Sequence, residues 1–451
     1  MGLEIGIEWL TLIMFGSLMV LLMAGLPLAF VTGGLACVFL FLLGDERALN
    51  IVPSRIFPLM TNYQLSAIPL FIFMASMLER AGIINDMFDV IYKVLGGVKG
   101  GLAAATVIAS TVLAAMVGVI GAAVVTMGII ALPAMLGRGY DPKIAMGSIM
   151  AGGTLGILIP PSILAIIYAV VAEQSVGELF IGAVFPGLLL SGMYILYAVV
   201  QCYIDPRKGP PIPLEERVST REKIRLMGNM SAPIVLIAVV LGVIFTGVAT
   251  PVEAAGIGTF GAIIVAAIHR KLDWQTLREA SLTTLKASAM VIWIMFGATI
   301  FVGLYVLEGG QQFVQNALAA TGLGPWGILI VMQIVLIVLG MFLDWVGILL
   351  LCVPIFVPIV KALGAQAFGL DNADDLVLWF GVLYLVNMQM SFLSPPFGYA
   401  LFYLRGVAPP EIPMGQIFRS ALPFLFLQFV GLALCMMFPE IITWLPQQVY
   451  G

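Results

Sequence analysis

The sequence predicts an all-α polytopic membrane protein built from inverted-topology repeats, with about 10 full spans, two re-entrant hairpins and two broken helices. Three observations carry that expectation. Hydrophobic residues make up 61% of the 451 positions against 10% charged, a balance far outside that of soluble domains. Charge-free runs fill residues 9–44, 56–78, 100–137, 144–172, 179–204, 226–252, 287–307, 309–343 and 376–404, and about 20 helical residues suffice to cross a hydrocarbon core. Two of these runs carry a proline doublet, Pro160 and Pro161 in "GILIPPSILAI" and Pro395 and Pro396 in "FLSPPFGYAL". Barrel strands would instead alternate in short segments. The net charge of -4 leaves no basic patch for nucleic acid.

Orientation follows from residues 205–225, whose Arg207, Lys208, Arg217, Arg221, Lys223 and Arg225 make it a cytoplasmic loop by the positive-inside rule. Residues 1–84 are N-terminal scaffold spans; the start "MGLEIGIEWL" has acids where a cleavable leader has its basic region. Residues 85–204 form a first repeat. Its run 100–137 lies between Lys93 and Lys99 on one side and Arg138 and Lys143 on the other, so both ends are cytoplasmic. The segment must enter and return, with about 16–18 residues per leg and Gly118 and Gly121 near the tip. Length alone leaves two thin full spans open; a re-entrant hairpin is preferred. Residues 144–172 then cross outward and 179–204 return.

Residues 226–308 are further scaffold spans: outward over 226–248, back over 252–269 to Arg270, Lys271 and Arg278, and outward over 287–307. Thr250, Pro251 and Glu253 spell a capping box with proline at N1. His269, beside Arg270, is an interfacial residue rather than a ligand. Residues 309–440 form a second repeat, whose run 325–361 has external ends and Asp344 at its midpoint. Residues 441–451 are a tail. Cys37, Cys202, Cys352 and Cys435 are scattered, mostly through apolar runs, as buried small hydrophobes would be, which suggests neither a disulfide framework nor a zinc site.

The two repeats match in order: an amphipathic stretch, a hairpin run, a proline, a loop, a broken span and a closing span. Pro133 pairs with Pro358, Pro160 with Pro395 and Pro186 with Pro423, at offsets of 225, 235 and 237 residues. One hairpin opens inward and the other outward, the arrangement of secondary transporters with a site at mid-depth. Proline has no N–H, so the doublets remove the helical partners of the Gly156, Ile157, Ser391 and Phe392 carbonyls. A dehydrated Na⁺ would satisfy such oxygens. The half-helices beyond the breaks present N–H groups at Ser162, Ile163, Phe397 and Gly398 to an anion. Asp344 is the only charge between Glu308 and Lys361, and an acid at that depth marks an ion or proton site; a salt-bridged or loop aspartate is the alternative. Thr154, Ser162, Asn387, Ser391 and Ser394 are the oxygen-bearing side chains nearest the breaks. Arg405 is placed to snorkel at the cytoplasmic end of its half-helix, the alternative being to receive a substrate carboxylate.

"AIPLFIFMASMLERAGI", "AGGTLGILIPPSI", "ATPVEAAGIG", "LDWVGILLLCVPIFVPI" and "SPPFGYALFYLRGVAP", in that order and spacing, resemble the large membrane subunit of tripartite ATP-independent periplasmic (TRAP) transporters over nearly the whole chain. The resemblance implies a fixed scaffold with an elevator-type moving domain in a bacterial inner membrane, and the parity of the spans puts both termini on the periplasmic side. The resemblance also implies uptake driven by Na⁺, with no other cofactor, and two partners. These are a small four-helix membrane subunit and a periplasmic binding protein that delivers an organic acid. Many members carry a Ser-Gly-Ser tip and an aspartate in the first hairpin, where this chain has Val117, Gly118, Val119 and Ala123.

The expected sodium and substrate region is therefore Gly118, Gly121, Ala122, Thr154, Gly156, Ile157, Pro160, Pro161 and Ser162 in repeat 1. In repeat 2 it is Asp344, Gly347, Asn387, Ser391, Phe392, Ser394, Pro395, Pro396 and Gly398. A stand-alone Na⁺/dicarboxylate symporter is the nearest alternative. A membrane enzyme would need clustered acids, histidines or a nucleophile, and a channel a polar stripe; neither pattern is present.

Overall fold

In hydrocarbon every backbone polar group needs an internal partner, and in a computed structural model this chain meets that demand with helices alone. The structure describes residues 5–44, 46–117, 120–213, 219–229, 231–396 and 398–450, with no strand among them. The first apolar run divides at Pro27 into α1 (Ile7–Met23) and α2 (Leu28–Gly44). Gly25 makes the turn with φ +87°, open to glycine at little cost. α3 (Ile51–Met60) and α4 (Ala67–Arg80) follow. A single span was expected over 56–78, yet the chain bends there by 61°. Asn62 accepts the Gln64 N–H at 3.0 Å, an Asx turn that needs neither proline nor glycine.

The first repeat opens with α5 (Ile83–Leu95), which buries Ile83, Met87, Phe88 and Ile91 and exposes Asp86, Asp89 and Lys93. α6 (Gly101–Val117) and α7 (Ile120–Leu136) are the two legs of the first hairpin, 17 residues each and packed together. The first broken helix is α8 (Pro142–Thr154) and α9 (Ile163–Ala172), and α10 (Val176–Ile204) closes the repeat. Residues 205–213 are threaded beneath the hairpin: Gly100 N–H donates to the Gly209 carbonyl, Asp141 N–H to Lys208 and Ile212 N–H to Gly96, at 3.0, 2.9 and 2.7 Å. α11 (Thr220–Asn229) packs on α5.

The middle of the chain supplies α12 (Ser231–Phe245), α13 (Pro251–Ile268) and α14 (Trp274–Leu307). The capping box expected at Thr250 forms, with Glu253 accepting the Thr250 N–H at 2.8 Å. α14 starts 13 residues before the expected 287, because Asp273 caps the Thr276 N–H at 2.6 Å and carries the helix through a polar first third. α2, α3 and α4 pack against α14, and α4 and α12 against α13.

The second repeat runs α15 (Gly310–Ala320), hairpin legs α16 (Pro325–Gly340) and α17 (Trp345–Leu363), broken helix α18 (Ala373–Leu393) and α19 (Tyr399–Val407), and α20 (Met414–Met437). The end of the chain, expected as a tail, is helix α21 (Glu440–Tyr450). It packs along α10, with the Tyr450 hydroxyl donating to the Ile244 carbonyl at 3.0 Å.

Packing between the repeats is reciprocal. α9 lies against α17 of the other hairpin and α19 against α7; α8 packs on α20 and α18 on α10. Among the described residues, six helices (α10, α13, α14, α17, α18 and α20) are long and apolar enough to cross a membrane, and the bent α3–α4 pair makes a seventh. α1, α2 and α12, at 17, 17 and 15 residues, fall short of that length.

Small residues permit the closest approaches, as elsewhere in membrane bundles. A Cβ on Gly153 of α8 would lie 3.1 Å from the backbone nitrogen of Val124 in α7 and 3.2 Å from its Cα. Gly153→Ala is therefore expected to lower stability by about 1–3 kcal/mol, read from the unfolding midpoint in mixed micelles. Gly256→Ala, with nothing within 4 Å of its Cβ, should be neutral.

Candidate functional site

At the first break α8 ends at Thr154, a single 3₁₀ turn covers residues 155–157, and α9 starts at Ile163. The Ser162 hydroxyl donates to the Ile157 carbonyl at 2.5 Å and accepts the Ala165 N–H at 3.3 Å. One of the two carbonyls expected to be free is thus occupied, because the N-cap serine satisfies the oxygen behind it as well as the N–H ahead. Leu158 and Ile159 N–H both turn to the Leu155 carbonyl, at 3.0 and 2.9 Å. No donor meets the Gly156 carbonyl among the described residues. Thr154 donates to the Ala151 carbonyl at 2.8 Å and accepts from Gln428 Nε2 of α20 at 3.2 Å. Thr154, Gly156, Ile157, Pro160, Pro161 and Ser162 are all buried together. Gly121, on the second hairpin leg, packs against the Tyr403 ring. Gly118 and the side chain of Ala122 lie outside the described residues.

The second break follows the same plan with different atoms. Ser394 Oγ donates to the Met390 carbonyl at 2.7 Å, and its N–H reaches the Ser391 carbonyl at 3.4 Å, a stretched substitute for the partner that Pro395 lacks. Ser391 Oγ donates to the Asn387 carbonyl at 3.4 Å. The Gly398 N–H, expected to be free for an anion, donates to the Ser394 carbonyl at 3.0 Å. Phe397 lies outside the described residues. A Cβ on Gly398 would sit 2.5 Å from the Phe392 oxygen and 2.8 Å from the Ser394 oxygen. Two main-chain oxygens therefore crowd this glycine, which no residue with a side chain could replace. In both breaks the proline doublet is joined by a cis peptide bond.

The tip of the second hairpin rests on this break: a Cβ on Gly340 would overlap the Ser391 side chain, and the Tyr384 hydroxyl of α18 donates to the Trp345 carbonyl at 3.2 Å. Asp344 is the N-cap of α17, its Oδ2 accepting the Val346 N–H at 3.3 Å. It has no ion-pair partner; Arg80 with Glu279 is the one salt bridge among the described residues. Asp344 is half-buried in the wall of a cavity of about 730 Å³, with Leu26, Phe30, Trp293, Tyr399 and Tyr403. Gly347, one turn on, packs on Leu28 of α2.

Of the expected residues that are described, Asp344 alone lines this cavity, and two of the others have partners that tie them elsewhere. Asn387 donates to the carbonyl and the Oε1 of Gln333 in α16, at 3.0 and 2.7 Å, bolting the broken helix to its hairpin. Arg405 donates to the Ile412 carbonyl at 2.6 Å, closing the turn after α19. Three glutamines that the sequence reading passed over, Gln333, Gln389 and Gln428, are buried, and each keeps at least one amide atom unpartnered. Their signal was legible, since all three interrupt strongly apolar stretches.

Comparison with known proteins gives a consistent result. The family model of the tripartite ATP-independent periplasmic transporter, DctM component, matches residues 15–441. The C4-dicarboxylate TRAP transporter large permease protein DctM of Pseudomonas aeruginosa is 32% identical over 414 residues, covering 92% of this chain and 93% of that protein. The ectoine/5-hydroxyectoine TRAP transporter large permease protein UehC of Ruegeria pomeroyi is 29% identical over 434 residues, 96% and 97% of the two chains. Among solved structures, the Alcanivorax borkumensis YdaH transporter aligns with a TM-score of 0.65 at 14% identity, covering 95% of this chain and 99% of that one. At that identity the likeness is one of fold.

Ser162→Ala removes both bonds of the first cap and should cost about 0.5–2 kcal/mol. Ser148→Ala, which deletes a buried hydroxyl with no partner, should be neutral or stabilising. Unfolding midpoints of the two variants check the difference.

Proposed function

The chain belongs to the DctM component family of tripartite ATP-independent periplasmic transporters, a family of permease subunits and not of enzymes, and from that premise we propose that it imports a small organic acid by Na⁺ coupling. Na⁺ is a hard cation, and what each break offers it is oxygen. Around Gly398 the Phe392 and Ser394 carbonyls converge, beside a hairpin tip that carries the unpaired Asp344. This convergence is the observation that carries the proposal. The first break offers less, with the Gly156 carbonyl and Thr154 as its oxygens, so the second is the principal ion site.

In this proposal α1–α4 and α12–α14 form the scaffold, while the hairpins and broken helices move as an elevator, with the amphipathic α5 and α15 as arms. The reciprocal packing of α9 on α17 and α19 on α7 supports treating the two repeats as one moving body. The span count is about ten, with the hairpins re-entrant. Positive-inside parity puts both termini on the periplasmic side of a bacterial inner membrane. It puts the α1–α2 turn, which edges the cavity at Gly25 and Leu26, on the cytoplasmic side. The partners are a small four-helix membrane subunit and a periplasmic binding protein that hands over the acid.

Reconstitution of the three components in proteoliposomes tests this. Uptake should require both an inward Na⁺ gradient and the binding protein; uptake without the binding protein would instead establish a stand-alone symporter. Asp344→Asn should abolish Na⁺-dependent uptake while the subunit still assembles. Wild-type transport by that variant would remove Asp344 from the site.

A further inference from the structure

The cavity beside Asp344 has an uneven chemistry. Among the described residues its wall contains one carboxylate and no lysine, arginine or histidine. Arg405, the nearest cation in sequence to its tyrosines, is not part of that wall and donates to the Ile412 carbonyl. The rest of the polar character comes from aromatic side chains. Phe30 and Trp293 form one ring pair, with centroids 6.0 Å apart, and Tyr399 and Tyr403 another at 6.4 Å. Asp344 lines the same cavity as both tyrosines.

A girdle at the headgroup level is the ordinary reason for Trp and Tyr in a membrane protein. It does not apply here. Trp293 lies six residues, about 9 Å, inside the apolar run 287–307 of α14, and its ring lines the cavity wall. Ring faces present negative charge density, so a group of rings around a carboxylate attracts a cation whose charge is spread over alkyl or conjugated atoms. A doubly negative acid would meet Asp344 with no base to offset it.

We propose that this cavity takes a small zwitterion, its alkylated or delocalised cationic group held by Asp344 and the rings of Trp293, Tyr399 and Tyr403. The carboxylate of the substrate lies toward the start of α19, which begins at the cavity wall with Tyr399, where the helix dipole is positive. This deepens the transport reading above and rests on it. It narrows the organic acid to one that also carries a positive charge.

Calorimetric titration of the full chain in nanodiscs, at fixed Na⁺, separates the charge of the ligand from its shape. Glycine betaine and tert-butylacetate have nearly the same outline and the same carboxylate, and only the former is cationic at its branched end. Succinate supplies the dianion. Betaine should bind at least about tenfold tighter than tert-butylacetate, and succinate most weakly. Trp293→Leu and Asp344→Asn should each bring the betaine to tert-butylacetate ratio down to about one, whereas Trp293→Phe, which keeps a ring, should retain most of it.

Equal binding of the two isosteres, tighter binding of succinate, or no binding of any probe by a protein that still responds to Na⁺ alone would overturn the inference. The Na⁺ response without organic ligand is the separate readout. Its loss counts against the coupling proposed above, while the ratio between isosteres speaks to substrate charge alone.

Discussion

A backbone polar group without a partner costs several kcal/mol in hydrocarbon, and each proline doublet removes two donors from the middle of an apolar helix. The chain repairs most of that damage locally. Ser162 serves two backbone groups at once, Leu155 collects two N–H groups, and Ser394 lends both its hydroxyl and its N–H to the turn before it. What the repair leaves over is instructive. The Gly156 carbonyl receives no donor among the described residues, and the Phe392 and Ser394 oxygens crowd the position that a Cβ on Gly398 would take, the Ser394 oxygen also accepting the Gly398 N–H. Ordinary residues in place of both prolines of a doublet would restore the donors that a continuous helix needs. Retaining the break keeps oxygen atoms available at mid-depth, and such irregular backbone is tolerated where it lines a site.

The large features were legible in the sequence because membrane folding has few solutions. Charge-free length fixes where helices lie, and each of the two long runs 100–137 and 325–361 folds into a pair of packed helices. The misses arise where local side-chain chemistry overrides composition. The bend between α3 and α4 depends on Asn62 in a stretch without proline or glycine, and the long polar lead-in of α14 depends on the Asp273 cap. The last eleven residues looked like a tail since they are short and half polar; the facing surfaces of α10, α18 and α20, with the Ile244 carbonyl of α12, make them a helix worth folding.

The candidate site was half legible for a similar reason. Spacing identified the breaks and the Asp344 tip, but spacing cannot tell which hydroxyl will occupy which carbonyl. The fate of the Ile157 oxygen and of the Gly398 N–H appeared only with coordinates. Nor could it show that Asn387 would turn toward Gln333 and away from the cavity. The scaffold's share of the cavity, Leu26, Phe30 and Trp293, comes from helices about 50 and 315 residues away from the tip, and no periodicity within repeat 2 points to them.

Asp344 brings these strands together through charge. A carboxylate at this depth with no ion pair must be offset by a proton, a metal ion or a ligand. One carboxylate cannot be the principal partner of both Na⁺ and a substrate cation in a symporter, because the two would then displace each other and couple with the wrong sign. Under the two proposals, separation of the roles resolves the conflict: main-chain oxygens at the Gly398 break would hold the metal ion, and Asp344, at the cavity wall, would meet the substrate. Asp344 and one Na⁺ then sum to neutrality, and a zwitterion leaves that sum unchanged. A dianion would leave two negative charges facing a wall in which no base stands among the described residues. The neutral loaded state is the one a moving domain can carry through a low-dielectric layer at least cost, since a net charge there is strongly disfavoured.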